Sequence, residues 1–200
     1  MHPYTTDSDE RKWVIIYLVV ISILLGEASG QITEALSWWG QWFWDFSAVA
    51  WFLLLYWLAD NCLWRLPFLH LPFLFQLPDL NGEWKGDLQS SWTGFSEDKP
   101  CTLTVRQTWT RIHVDFSLDE QTSGSFSIAA SVLLDYQGQV TLRYDFINNP
   151  AEPYRGTLDT HGGTTQLFLL PDGFQRKLEG RYYTDRIQQT RGTIVVKQPA

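Results

Sequence analysis

The chain changes character near Pro78, and this division constrains its fold more than any other feature. Before Pro78 lie two long apolar stretches, Trp13–Leu25 and Trp38–Leu58. After it, short runs that alternate apolar and polar residues are separated by Gly, Pro, Asn and Asp. The first pattern is typical of membrane-spanning helices and the second of short β-strands. The sequence therefore predicts two N-terminal transmembrane helices followed by one all-β domain.

The second apolar stretch, Trp38–Leu58, has the length of one membrane crossing. A helix of about 21 residues extends about 31 Å, which matches the hydrocarbon core of a bilayer. Tryptophans crowd both of its ends, where indole rings prefer to lie among lipid headgroups. Asp45 is the exception, because a carboxylate within a bilayer is costly. Asp45 either lies shallow, near the interface, or it makes a polar contact in an oligomer or lines a pore. It is therefore our candidate for the residue through which the membrane segments act, which we call the membrane output.

The first apolar stretch, Trp13–Leu25, is too short to cross a membrane alone and must also use residues 26–32. Arg11-Lys12 before it and Ala28-Ser29-Gly30 after it also fit a cleavable signal peptide. A retained anchor and a cleaved signal therefore stay open as alternatives. Both alternatives leave the C-terminal domain on the same side of the membrane.

The distribution of charge predicts which side that is. Arg11 and Lys12 flank the first span and Arg65 follows the second, whereas the connector 26–37 holds no Lys or Arg. Positive charges stay inside, so both termini and the β domain are expected in the cytoplasm, with the spans in the inner membrane. The net charge of −7 argues against binding to a nucleic-acid polymer, which needs clustered cations. The two cysteines fall in different halves and are expected to be reduced thiols.

A proline-rich segment, residues 66–78, joins the two halves. Its prolines prevent one continuous helix. We therefore expect a two-span transmembrane region (1–65), a juxtamembrane linker (66–78) and a cytoplasmic ligand-binding β domain (79–200). About 120 residues are enough for one domain with a single core.

The pattern of the β domain predicts about eight or nine short strands joined by short turns. Consecutive hairpins favour an antiparallel meander closed into a small barrel of about eight strands. The alternation places mostly apolar side chains inside, among them Ile128 and the bulky Phe116, Phe126 and Phe146. A tight hairpin turn is expected at Gly162-Gly163.

The inward-facing positions turn polar near several strand ends. These positions are Gln107, Tyr144, Asn148, Thr160, Tyr182 and Thr184, and Arg186 would follow them. A polar group sealed inside a small barrel is costly unless it is hydrogen-bonded. The side chains therefore either bond to one another, or they line a polar pocket at one mouth of the barrel. Aromatic rings, hydrogen-bond donors and one cation suit a nucleobase with its phosphate better than a fatty acid.

No catalytic motif stands out in the sequence. There is no HExxH, no GxSxG and no Walker loop, and of the four histidines only His161 borders the predicted mouth. We therefore expect a protein that is not an enzyme, with no cofactor and no metal site.

The order of the segments resembles a known family. After the two spans come residues 80–86 (LNGEWKG), 142–150 (LRYDFINNP), His161-Gly162-Gly163 and 178–192 (LEGRYYTDRIQQTRG). This order is similar to that of the two-transmembrane, β-strand-rich effectors of CBASS, the bacterial cyclic-oligonucleotide antiphage system. The resemblance covers nearly the whole chain. Its most distinctive parts are residues 180–186 (GRYYTDR) and a turn at Asn148-Asn149-Pro150.

The resemblance implies a lipocalin-like barrel that binds a cyclic dinucleotide made by a partner nucleotidyltransferase during infection. Binding would promote self-assembly into a homo-oligomer, and the membrane segments would then disrupt the lipids of the inner membrane and kill the cell. The residues that it implicates in ligand binding are Tyr144, Asn148, His161, Tyr182, Tyr183, Thr184, Arg186 and Arg191, and the strand pattern adds Gln107.

Among these residues we expect Arg186 or Arg191 to contact phosphate, and Tyr144 or Tyr182 to stack on a base. Two other functions stay open from the sequence. One is a membrane-tethered carrier or sensor of an apolar small molecule, and the other is a structural assembly subunit with a solidly packed barrel.

Overall fold

The structure is a computed structural model that describes residues 1–35, 47–71, 74–118, 123–150, 160–173 and 175–199. The chain divides into two compact units. One unit combines Met1–Asp7 with Pro78–Ala200, and the other is Ser8–Leu77. The first unit therefore includes seven N-terminal residues that the sequence pattern had grouped with the membrane region. The domain limits 1–65, 66–78 and 79–200 stay a prediction.

Nine strands are described in the first unit. They are β1 (His2–Pro3), β2 (Gly82–Ser90), β3 (Asp98–Gln107), β4 (Arg111–Leu118), β5 (Ser123–Leu134), β6 (Val140–Pro150), β7 (His161–Asp172), β8 (Gln175–Thr184) and β9 (Arg191–Lys197). From β2 to β9 each strand pairs antiparallel with the next along the chain, and β9 pairs with β2. These eight strands form a closed meander, so the predicted barrel is confirmed.

The barrel core follows from the alternation of the strands. Side chains at every second position point inward, and the most deeply buried, each with no exposed surface, include Trp84, Leu103, Val114, Leu142 and Leu167. The indole N–H of Trp84 donates to the Leu80 carbonyl at 3.0 Å. This bond satisfies the one polar group of a large buried ring, so that the burial of its apolar surface stabilises the fold.

Strand β5 departs from the predicted alternation. Phe126 and Ile128, expected inside, are 37% and 50% exposed, whereas Ser127 is buried. The register with β6 shifts between Ser127 and Ala129, which marks a β-bulge. One extra residue inverts the alternation, so that Val132 again points inward. The predicted inward positions of Phe126 and Ile128 were wrong for this reason.

Two segments expected to turn are strands instead. Gly162-Gly163 lies in β7, and Asn148-Asn149-Pro150 lies at the end of β6. The two strands pair here, with Ile147 opposite Gly162. The backbone hydrogen bonds of this ladder keep the glycines extended, so both turn predictions were wrong.

The second unit contains two helices, α1 (Glu10–Ala35) and α2 (Ala48–Asn61). In the described part of the chain, one helix is long and apolar enough to cross a membrane, with its candidate span at residues 10–31 and a mean hydropathy of 2.0. Of the second predicted span, residues 38–46, including Asp45, lie outside the described residues. Helix α2 begins at Ala48 and covers the span from there to its end, and its 14 residues are fewer than a crossing needs. The described structure thus gives one candidate span where the sequence predicted two.

Two contacts organise this second unit. The helices α1 and α2 approach closely at Gly26, where a Cβ atom would meet the backbone of Ala48 at 3.1 Å. Two short 3₁₀ helices follow α2: Leu63–Arg65 lies just before the linker, and Pro67–Leu69 lies within it and begins at a proline. At the end of the linker, the buried carboxylate of Glu10 accepts the backbone N–H of Leu77 at 3.0 Å. The start of α1 is therefore tied to the last residue of the unit.

Candidate ligand pocket in the barrel

A cavity of about 270 Å³ lies at one end of the barrel. Side chains from all eight barrel strands and from two of the connections between them contribute to its wall. The lining residues are Leu88, Ser90, Trp92, Thr93, Lys99, Phe116, Leu118, Ser125, Tyr144, Phe146, Asn148, His161, Thr165, Tyr182, Thr184, Arg186, Thr190 and Ile194. An apolar wall that carries a few convergent polar groups is the usual composition of a small-molecule site.

Six of the residues predicted for the site line this cavity. They are Tyr144, Asn148, His161, Tyr182, Thr184 and Arg186. The register brings them together, because Asn148 pairs with His161, and Thr165 lies between Tyr144 and Tyr182 across three neighbouring strands. Their predicted positions at one mouth of the barrel are therefore correct, while ligand binding by these residues stays a prediction.

Gln107 does not line the cavity. It is 1% exposed near the opposite end of the barrel. Its Oε1 accepts the Leu80 N–H at 2.9 Å, and its Nε2 donates to the Tyr4 hydroxyl at 3.1 Å. Gln107 is therefore a hydrogen-bonded core residue, and its assignment to the ligand site is corrected.

Three other predicted residues also lie away from the cavity. Tyr183 follows the inward Tyr182, so it points outward and is 51% exposed. Arg191 is exposed at the start of β9, with its backbone N–H donating to Ser91 Oγ at 3.1 Å. Thr160 is exposed just before β7. Strand parity places Tyr183 and Arg191 on the outside, so of the two predicted arginines Arg186 is the one that lines the cavity.

The two tyrosines of the cavity are neutral phenols. Tyr144 is 2% exposed, and burial raises the pKa of its phenol well above the ordinary value although a hydrogen bond with Thr165 opposes the shift. Burial also raises the pKa of Tyr182, whose hydroxyl donates to Ser90 Oγ at 2.8 Å. Both phenols keep their protons at neutral pH, because desolvation disfavours the phenolate. They present aromatic surface together with polar hydroxyls.

Arg186 supplies positive charge to the cavity. Its guanidinium carbon lies 5.6 Å from the ring centroid of Trp92, a cation–π distance. Its Nε atom is buried, and among the described residues it has no hydrogen-bond partner. The planar guanidinium matches the geometry of a phosphate, to which it can donate two parallel hydrogen bonds. Arg186 is therefore placed to receive an anion.

The turn that carries Arg186 is held by two threonines. The backbone N–H of Thr184 donates to the Thr190 carbonyl at 3.0 Å. The Thr190 N–H in turn donates to Thr184 Oγ1, also at 3.0 Å. These hydrogen bonds join the two ends of the turn, so they hold the backbone from which the Arg186 side chain extends.

Several lining residues were not predicted from the sequence. Lys99 and Thr165 share the inward parity of their strands with Leu103 and Leu167, so the alternation could have identified both. Trp92 lies in a 3₁₀ helix, Ser91–Thr93, outside any strand, and is 62% exposed. The sequence feature that could have identified Trp92 is a large aromatic residue in a mostly polar connection between two strands.

Two glycines leave room for the aromatic rings of the cavity. A Cβ atom at Gly163 would overlap the ring of Phe146, and one at Gly192 would overlap the ring of Tyr182. Each would also overlap the backbone of the neighbouring strand. Both rings can therefore occupy their positions only because residues 163 and 192 have no side chain.

We expect Gly163→Ala to destabilise the barrel by about 1–3 kcal/mol, because the added methyl group forces Phe146 or the strand backbone to move. Thermal unfolding of the full chain measures this effect. The matched control is Gly124→Ala, since a Cβ there has its nearest neighbour at 3.9 Å. Equal melting temperatures for the Gly163 variant and wild type would contradict the role given to this glycine.

The buried phenols also predict a loss of stability at alkaline pH. The pKa of Tyr144 is higher in the folded than in the unfolded chain, so its contribution is fully present below about pH 10 and is lost as pH rises above that value. We expect the melting temperature of wild type to fall more steeply above about pH 10 than that of Tyr144→Phe, which has one such phenol fewer. Parallel pH profiles for the two proteins would count against the burial of an ionisable group at this position.

A family comparison identifies the class of protein to which the chain belongs. Residues 75–198 match the family model described as Cap15, cyclic dinucleotide receptor domain. Because this match covers more than half of the chain, the protein belongs to the Cap15 family of cyclic dinucleotide receptors, which are CBASS effectors, and the resemblance seen in the sequence is confirmed. No match was found among the curated proteins.

Proposed function

We propose that this protein is a membrane-anchored antiphage effector whose barrel cavity binds a cyclic dinucleotide and whose membrane segments then disrupt the inner membrane. The single observation that carries the proposal is the half-buried Arg186, with its buried Nε atom, beside Trp92 in a cavity that also holds two neutral tyrosines. Phosphate and nucleobase are the two groups that this combination recognises. The protein acts as a sensor and not as an enzyme, as its membership of a receptor family supports.

Each part of the ligand has a candidate partner. The guanidinium of Arg186 contacts a phosphate, and Tyr144 or Tyr182 stacks on a base. Trp92, which is exposed at the cavity, offers a second aromatic surface. Asn148, His161 and Thr184 supply hydrogen-bonding groups along the same wall.

The membrane half supplies the output. In this proposal α1 is the first span and Trp38–Leu58 is the second, so both termini lie on one side of the membrane. The Lys and Arg residues that flank the spans favour the cytoplasm as that side. A partner nucleotidyltransferase then makes the ligand on the same side of the inner membrane as the barrel. Asp45, outside the described residues, stays the candidate for lining or stabilising the assembled spans.

Ligand binding is coupled to output through assembly. A ligand shifts an equilibrium only by its difference in affinity for the two states, so it must bind the assembling form more tightly than the resting form. Several copies are needed, because two helices are too few to enclose a wide aqueous path. A homo-oligomer of barrels would concentrate the apolar helices in the bilayer.

The proposal is tested with the full chain reconstituted in lipid vesicles that contain a self-quenched dye. Addition of 3′,3′-cyclic dinucleotides on the side that carries the barrel should release the dye. The matched linear dinucleotides serve as the control ligands. Dye release that is equal with and without cyclic dinucleotide would contradict ligand control, and bound ligand without any release would contradict the membrane output.

A further inference from the structure

The N-terminal residues lie in the seam between β4 and β5. In the described residues these two strands pair directly only where 115–117 lie opposite 124–126. Further along the seam, residues 2–5 lie between the two strands. His2 pairs with Ile112 of β4, and the Thr5 N–H donates to the Ala130 carbonyl of β5 at 3.1 Å. The Thr5 carbonyl accepts the Val132 N–H at 3.0 Å, so the segment bonds to both sides of the seam.

Buried side-chain contacts hold this segment in place. Tyr4 is 3% exposed, and its hydroxyl donates to the Trp109 carbonyl at 2.9 Å. The same hydroxyl accepts a hydrogen bond from Gln107, whose other amide atom bonds Leu80. If the segment left the seam, the buried amide of Gln107 would lose a partner and two strand edges would open, both of which are costly.

Both chain connections of the barrel leave it at the end opposite the cavity. The Asp7 carboxylate accepts the backbone N–H of Leu134, which pairs with Val140 at the far end of β5 and β6 from Asn148. Leu80, just after Pro78, bonds Gln107 at that same end. The segment 8–77 therefore begins and ends at one end of the barrel.

We propose that residues 1–7 are a permanently docked strand of the receptor domain, so that the membrane half is an insertion within this domain. The match to the receptor family begins at residue 75 and does not include this strand. Because both ends of the insertion join the barrel, a chain that crosses the membrane with α1 must cross again before Pro78. A change in the barrel is also transmitted to the membrane half through two covalent connections and not one.

A disulfide trap tests the docking in the full chain, without ligand, in the Cys62→Ser background. Thr5 and Ser131 are bridge partners, so Thr5→Cys with Ser131→Cys should form a crosslink within one copy. Thr5→Cys with Ser117→Cys is the control, because Ser117 lies on the outer face of β4 well beyond the Ile112 position where His2 pairs. A missing crosslink, or one mainly between copies, would overturn the proposal.

A separate experiment tests whether the chain crosses the membrane an even number of times. In sealed membrane vesicles, a membrane-impermeant maleimide should label Thr5→Cys and Lys197→Cys, each made in the Cys62→Ser background, from the same side. Labelling from opposite sides would overturn the insertion. Neither experiment uses a cyclic dinucleotide, so both outcomes are independent of the proposed ligand binding.

The buried Tyr4 gives a further test of the docked strand. We expect Tyr4→Ala to lower the melting temperature by roughly 10 °C, and Tyr4→Phe, which keeps the ring, by less. Tyr136→Ala is the control, since Tyr136 is 95% exposed. An unchanged melting temperature for Tyr4→Ala would overturn the docking, and if that variant does not fold, the crosslink between positions 5 and 131 still decides.

Discussion

Replacement of Arg186 by alanine is expected to weaken cyclic dinucleotide binding at least tenfold while the barrel stays folded. A hydrogen bond to a charged group is worth about 1.5–3 kcal/mol, and 1.4 kcal/mol corresponds to a factor of ten in affinity. The buried Nε of Arg186 has no hydrogen-bond partner among the described residues. Removal of the side chain therefore breaks no hydrogen bond between that atom and a described residue. Calorimetric titration of the full chain measures the loss.

Arg191→Ala is the matched control for Arg186→Ala. Both variants remove one guanidinium, and Arg191 lies only five positions further along the chain, but its side chain is outside the cavity. Its affinity should stay near that of wild type. Equal losses in the two variants would show that overall charge, and not the cavity, controls binding.

The tyrosines provide a second matched pair at the same site. Tyr182 lines the cavity, whereas its neighbour Tyr183 points outward. Loss of a base-stacking ring typically costs about 1–3 kcal/mol, so Tyr182→Ala should weaken binding by roughly tenfold or more. Tyr183→Ala should have little effect. The reverse order of effects would show that the register of β8 differs from the one described.

The second large effect is expected in the membrane half, where Gly26→Ile should abolish permeabilisation without changing ligand affinity. A Cβ at Gly26 already meets the Ala48 backbone at 3.1 Å, so a larger side chain would force α1 and α2 apart. Dye release from vesicles measures the output, and calorimetry measures the binding.

Gly30→Ile is the control for this prediction. It adds the same side chain to the same helix, but a Cβ at Gly30 meets no described atom within 4 Å. It should retain dye release. Full release from the Gly26 variant would mean that the contact between α1 and α2 is not needed for output, and a parallel loss of ligand binding would mean that the substitution disturbs the receptor itself.

The meander and most of the cavity could be predicted from the sequence, because alternation along a strand fixes which side chains point inward. Tyr144, Tyr182 and Thr184 were placed correctly for this reason. Alternation fails where an extra residue enters a strand, and the bulge in β5 therefore moved Phe126 to the outside. A bulge depends on the pairing of two strands, which a single strand's pattern does not contain.

Two other features depend on tertiary contacts that leave little trace in the sequence. Strand β1 is too short to show a period, and Tyr4, which follows it, is held by Gln107 and Trp109, more than a hundred positions away. Gln107 itself was assigned to the ligand site because its partner Tyr4 was not recognised. Trp92 lies outside the strands, and only the folded chain brings it beside Arg186.

The most direct test of the account is a calorimetric titration of the full chain in detergent against two ligand classes, 3′,3′-cyclic dinucleotides and long-chain fatty acids. We predict saturable binding of at least one cyclic dinucleotide, weakened at least tenfold by Arg186→Ala and unchanged by Arg191→Ala. Binding of fatty acids alone, unaffected by Arg186→Ala, would contradict the account and support a carrier or sensor of an apolar small molecule.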